Sequence, residues 1–152
     1  MFKSKVIIAN GAAAVLLVID QLLKQYFVAN PDTMRDFILF KLQLWHNPGL
    51  AFGLVIDPDL ILVLVAPFTL IILMLLTWEL VKQYRAKNIM AISCLTLVIG
   101  GALSNFWDRL SGQSVVDYIN FNFWPIFNLA DAMIVLGIIG LFLNTLRRAR
   151  QP

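Results

Sequence analysis

The chain has 152 residues, 60% of them hydrophobic and 14% charged, with 12 Lys and Arg against 9 Asp and Glu for a net charge of +3. Soluble domains carry about 45–50% apolar and about 25% charged residues, and a chain this short cannot enclose such an apolar excess in one core, so a water-soluble domain is excluded and lipid must cover the remainder. Its single cysteine, Cys94, excludes an intramolecular disulfide and a cysteine-based metal cluster.

From the N-terminus, Lys3 and Lys5 precede an uncharged run over residues 6–19 that ends at Asp20. The arrangement resembles a secretory signal peptide, but Gln21-Leu22-Leu23-Lys24 offers no small residues for cleavage, so the segment is expected to remain as a first helix. Leu22, Leu23, Tyr26 and Phe27 prolong one apolar face and carry that helix to about residue 28. Within residues 29–59, Phe40-Lys41-Leu42-Gln43-Leu44-Trp45 alternates apolar and polar positions, which predicts a strand with one buried face. Residues 31–37 are too few to decide for or against a surface helix. Uncharged runs of 19 and 20 residues at 60–78 and 88–107 meet the roughly 20 residues that a membrane-spanning helix needs. Tyr118-Ile119-Asn120-Phe121-Asn122-Phe123 alternates as the earlier strand does, with aromatics suited to headgroup depth. The last uncharged run, 132–146, is long enough to span once its first turn includes residues 128–131. The expectation is an all-α membrane protein of one domain, residues 1–152, with transmembrane helices at about 6–28, 60–78, 88–107 and 128–147 and a small extracytoplasmic β-sheet.

The charges sort by side. The N-terminus, the 79–87 connection and the C-terminal tail hold 8 basic residues against the single acid Glu79, whereas the opposite side holds 4 basic residues against 8 acids. The positive-inside rule then places both termini in the cytoplasm.

The outward side carries the chemistry. Asp20 and Lys24 form an i,i+4 pair, expected as a local ion pair worth about a few tenths of a kcal/mol. Asn47-Pro48-Gly49-Leu50-Ala51-Phe52-Gly53 reads equally as an ordinary turn and as a backbone loop close to a bound chain. Gly100 and Gly101 are expected to serve close helix packing. Asn105, Asp108 and Arg109 fall on adjacent helical faces, and an arginine there could anchor a carboxylate or a peptide carbonyl.

Asp117 lies among apolar neighbours, where an acid is costly without a partner or a task. Asp131 stands three residues after Asn128, a spacing that fits a helix-capping box as well as a reactive carboxylate. Both acids fall on one side at similar depth, and paired carboxylates sharing a proton can activate water for peptide hydrolysis. Competing nucleophiles are poorly supplied: His46 is the only histidine, a Ser104–His46 dyad is a minor route, and Cys94 sits mid-helix.

Four motifs in order then resemble the lipoprotein signal peptidases, the signal peptidase II family. They are Asp20-Gln21-Leu22-Leu23-Lys24, the 47–53 segment quoted above, Gly100-Gly101-Ala102-Leu103-Ser104-Asn105-Phe106-Trp107-Asp108-Arg109, and Val115-Val116-Asp117-Tyr118-Ile119 with Phe127-Asn128-Leu129-Ala130-Asp131. The resemblance implies a four-helix aspartic endopeptidase of the bacterial inner membrane, with Asp117 and Asp131 as its catalytic aspartates. Asp20, Lys24, Asn47, Gly49, Asn105, Arg109, Asn128 and Ala130 match positions that bind substrate or support the site. The chain departs from the family pattern at Ser104, where glycine is usual, at the bulky Phe106-Trp107, and in a short connection between the two aspartates.

The function expected from the resemblance is removal of signal peptides from prolipoproteins by cleavage before a diacylglyceryl-modified lipobox cysteine, with the active site at the periplasmic face. No metal or organic cofactor is expected. The expected partners are that lipidated substrate and the membrane lipids, without nucleic acid, in an arrangement compatible with a monomer. A small proton-coupled transporter using Asp117 and Asp131 as a relay is the alternative, and a non-enzymatic membrane subunit a third reading.

Overall fold

The computed structural model describes residues 1–47, 49–50, 54–55, 65–112 and 114–150. In chain order the elements are α1 (Phe2–Ala29), β1 (Met34–Asp36), β2 (Lys41–Asn47), β3 (Gly49–Leu50), β4 (Leu54–Val55), α2 (Ala66–Arg85), α3 (Ile89–Gly112), β5 (Val115–Asn120) and α4 (Leu129–Ala149). The four helices are each long and apolar enough to cross a membrane. Half of the apolar window of α3 is buried, against 11–17% in the other three, which makes α3 the central helix. Ile7 and Val15 on α1, Phe68 and Leu75 on α2, and Leu136 and Ile139 on α4 stay exposed, a surface that lipid covers at little cost.

The helices outrun the uncharged stretches. Helix α2 was expected at 60–78 but runs from Ala66 to Arg85, with a proline in its first turn where the missing N–H is harmless; residues 60–64 lie outside the described residues. Past Trp78 its polar side chains satisfy one another, Gln83 donating to Glu79 at 2.6 Å and the Lys82 ammonium lying 3.6 Å above the Trp78 ring. Absence of charge marks the lipid-buried stretch; the helical hydrogen bonds continue into the headgroup layer.

Helices α3 and α4 meet along a seam of small residues. A Cβ on Gly101 would collide with the Ala130 carbonyl, and one on Gly137 would come within 2.7 Å of the Cys94 carbonyl. Gly100 and Gly101 therefore do pack helices closely, and Gly137 and Gly140 supply the facing side of the seam. Gly101→Val would push the first turn of α4 away. It is expected to lower the thermal midpoint by several degrees and to cut activity about 100-fold, as displacements near 1 Å do at a positioned site. Paired thermal-shift and cleavage measurements check this.

A three-stranded antiparallel sheet of order β1-β2-β5 covers one end of the bundle, and β3 pairs with β4. The short β1 occupies the 31–37 region that the sequence left open. Strand β5 starts and stops earlier than the expected 118–123, because Asn122 takes a left-handed conformation (φ 58°) and its N–H turns to the Asn120 side chain at 2.8 Å. The β2–β5 register slips: Leu42 faces Ile119 but Trp45 faces Asp117, so β2 carries one extra residue between them. Side chains alternate along a strand, and this bulge brings Asn47 onto the same face as Asp117.

Candidate active site

The site begins at the N-terminus of α4. Asn128 is the N-cap, its side chain accepting from the Asp131 N–H at 2.8 Å, while the Asp131 carboxylate accepts from the Asn128 N–H at 3.2 Å. This reciprocal capping box locks the Asp131 rotamer. Its other oxygen, Oδ1, accepts from Asn105 Nδ2 at 2.7 Å, so Asp131 is held both by its own helix and by α3.

Asp117 arrives from β5. It is 1% exposed and accepts from Asn128 Nδ2 at 2.7 Å and from Asn47 Nδ2 at 3.0 Å. Asn128 thus caps the helix that carries one aspartate and donates to the other. Its Nδ2 also reaches Asn105 Oδ1 at 3.1 Å, closing a ring of amides between the two carboxylates. Burial pushes the Asp117 carboxyl up to about 7; the Asn47 hydrogen bond pulls it down, the Asp131 charge adds to the rise, and Lys24 and Asn128 pull it down again.

Behind the aspartates lies a second buried cluster. Lys24 Nζ sits 2.9 Å from Asp20, 2.8 Å from Asp108 and 2.9 Å from Asn105 Oδ1. Asp20, fully buried, accepts from Ser104 Oγ at 2.6 Å, from the Tyr118 hydroxyl at 2.9 Å and from the Ala130 N–H at 3.1 Å. Gln21 donates to Ser104 Oγ at 2.8 Å and to Asp108 at 3.0 Å. Burial, with the Asp20 charge behind it, raises the Tyr118 phenol above its ordinary value, so the hydroxyl stays a donor. Arg109 is half-buried, its guanidinium 3.5 Å from the Asn105 carbonyl and within electrostatic reach of Asp131, Asp108 and Asp117.

Most of the residues singled out in the sequence therefore come together. Asp117, Asp131, Asn105, Asn128 and Asn47 form the first ring; Asp20, Lys24 and Ala130 brace it from behind. Gly49 contributes backbone to the β3–β4 pair, while Pro48 and residues 51–53 of the same motif lie outside the described residues. One expectation needs correction. Asp20–Lys24 is not a local surface pair but the centre of a buried cluster spanning α1, α3, β5 and α4. The Ser104–His46 route fails on geometry, since Ser104 is committed to Asp20 while His46 lies 3.3 Å from Ser114. Sequence reading missed Gln21 and Tyr118. Their signal was faint: polar groups next in the chain to Asp20 and Asp117, among apolar neighbours.

The family model described as signal peptidase (SPase) II matches residues 12–147. The chain belongs to the signal peptidase II family. It is 38% identical over 135 residues to the lipoprotein signal peptidase of Moorella thermoacetica, covering 84% of this chain and 85% of that protein. To the lipoprotein signal peptidase of Anaplasma phagocytophilum it is 31% identical over 145 residues, covering 90% of each. A solved bacterial membrane enzyme shares the fold at a TM-score of 0.77 and 24% identity, over 93% of this chain and 89% of that one. A second is 26% identical with a TM-score of 0.69, over 91% and 92%. Signal peptidase II proteins are proteases, so the buried carboxylates and their amide ring lie within a hydrolase.

Proposed function

We propose that this signal peptidase II removes signal peptides from prolipoproteins by aspartic catalysis, cutting the bond before a cysteine that already carries a diacylglyceryl group. The observation that carries the reading is the bridged pair itself: Asn128 Nδ2 donates to Asp117 and to Asn105, and Asn105 donates to Asp131. In the proposed chemistry one proton is shared by the dyad. Asp131, fed by the Asn105 amide and the N-cap N–H, takes a proton from the attacking water as it adds to the scissile carbonyl. Asp117, held near neutrality by burial, protonates the carbonyl oxygen; as the tetrahedral adduct collapses, Asp131 passes the water's proton to the leaving amine and Asp117 takes its proton back from the adduct hydroxyl, restoring the dyad. The neighbouring Arg109 is suited to anchor a peptide carbonyl.

The charge asymmetry supports an orientation with both termini in the cytoplasm of a bacterial inner membrane and the aspartates at the periplasmic boundary. A transport relay favours acids near mid-span. Asp117 instead belongs to a strand outside the helices, and Asp131 to the first turn of α4.

The test is a paired kinetic assay with purified protein in nanodiscs and EDTA present. A diacylglyceryl-cysteine peptide should be cut at least about tens of times faster than its unlipidated twin at equal occupancy, because two acyl chains fix the depth of the scissile bond. Equal rates would remove lipid positioning from the mechanism. A pH profile adds an independent check. The proton on Asp117 is lost as pH rises through about 7, so turnover should fall on the alkaline side. Asn47 lowers that carboxyl, so Asn47→Ala should move the alkaline limb to higher pH. An unmoved limb would show that another group sets it.

A further inference from the structure

A cleft of about 520 Å3, within the range of roughly 300–1,000 Å3 usual for small-molecule sites, opens between the last turns of α1 and the sheet. Leu23 and Phe27 form one wall, and Phe40, Leu42 and Ile119 the other. Neither aspartate lines it, nor does any amide of the ring around them. Arg35 is the one charged residue that lines it, beside Thr33 and two tyrosines: Arg35 is exposed, and its position opposite Leu42 in the β1–β2 register turns it to the face that Leu42 presents to the cleft. Its neighbour Asp36 pairs with Lys41 at 3.6 Å, and among the described residues Arg35 forms no ion pair.

The depth of the cleft is set by α1, whose outer end at Ala29 lies just beyond Phe27. Beside it, the turn between β1 and β2 exposes Phe37, Ile38 and Leu39, with Ile38 fully exposed, a surface unfavourable in water but not among lipid tails. An apolar slot at the membrane boundary lined by one exposed arginine complements a chain of methylenes ending in an anion.

We propose that this cleft binds an acyl chain of an anionic glycerophospholipid from the surrounding leaflet, with the lipid phosphate on Arg35. The lipid clasps the β1–β2 hairpin to α1 and lies against Tyr118, the residue that follows Asp117 and donates to Asp20. The site is separate from catalysis and does not depend on the cleavage reaction proposed above.

The experiment uses the full chain in phosphatidylcholine nanodiscs doped with phosphatidylglycerol bearing a mid-chain diazirine. After irradiation, crosslinks should concentrate on Leu23, Tyr26, Phe27, Phe40 and Leu42 over the exposed Phe68, Leu70, Ile71, Met74 and Leu75 of α2. Leu42→Trp should fill the slot and return crosslinking there to the level on α2. Arg35→Gln should reduce the preference for phosphatidylglycerol over a phosphatidylcholine probe by about fivefold, the effect of one basic residue at an anionic surface. Circular dichroism of both variants confirms that the fold is retained. Crosslinks spread evenly over all exposed faces, or equal capture of the two lipids by the native chain, would overturn the proposal. Displacement of the probe by a diacylglyceryl-cysteine peptide would overturn it too, by assigning the cleft to substrate.

Discussion

Asp117→Asn and Asp131→Asn are each expected to reduce turnover by on the order of 1,000-fold or more while leaving membrane insertion intact, and the double variant should be little worse than either alone. Each change keeps the shape of the side chain and removes the exchangeable proton site. The surrounding donors sharpen the expectation. Asn47 and Asn128 both present N–H groups to Asp117, and Asn105 and the Asn128 backbone do the same for Asp131. An asparagine in either place would have to turn its own NH2 group towards one of those donors or away from its partner. The loss is therefore expected in turnover, while binding of the lipidated peptide should hold. Single-turnover cleavage alongside peptide binding separates the two; substantial cleavage by either single variant would refute a shared-proton pair.

Lys24→Met should have the largest effect on stability. Lys24 is 2% exposed and sits within 3 Å of both Asp20 and Asp108. Removing the cation leaves two buried carboxylates facing each other, and breaking a buried pair in this way costs about 3–5 kcal/mol. That is a large part of the roughly 5–15 kcal/mol that holds an ordinary domain folded. Activity should fall as well, because the same ammonium donates to Asn105, which holds Asp131. Adding Asp108→Asn to Lys24→Met lowers the excess negative charge, so the double variant should recover part of the thermal midpoint without recovering activity. Thermal unfolding in detergent and the cleavage assay read the two effects; a stable, active single variant would show that the cluster is dispensable.

The parts of the fold legible in sequence were those written locally. Four apolar runs announced four helices, and Asn128 and Asp131 stood at capping-box spacing. Asp117 stood out because an acid flanked by Val115, Val116 and Ile119 must be satisfied by something. Long-range relations were not legible. The i,i+4 spacing of Asp20 and Lys24 is complete in itself, and nothing local points to Ser104 or to Asp108, both 80 or more residues away. Helix α2 was misjudged by several residues because charged side chains in the headgroup layer end a hydrophobic run without ending a helix. The third strand was missed because Met34–Asp36 is too short to show an alternation and owes its form to pairing with β2.

The bulge in β2 makes the site depend on a count as well as on a composition. Between Leu42 and Trp45 the strand spends one residue more than its partner, and everything downstream changes parity. Gln43 and Leu44, the residues within that interval, have no named place in the amide ring. Their number matters where their identity does not: substitution should be tolerated, and excising one would leave an unbulged ladder with Asn47 still opposite Val115, whereas regular pairing at full length from Leu42 would turn Asn47 to the far side of the strand and bring His46 round in its stead. Length is here a hidden part of the active-site code, unreadable from any single residue and vulnerable to a reading-frame-preserving insertion that touches no aspartate.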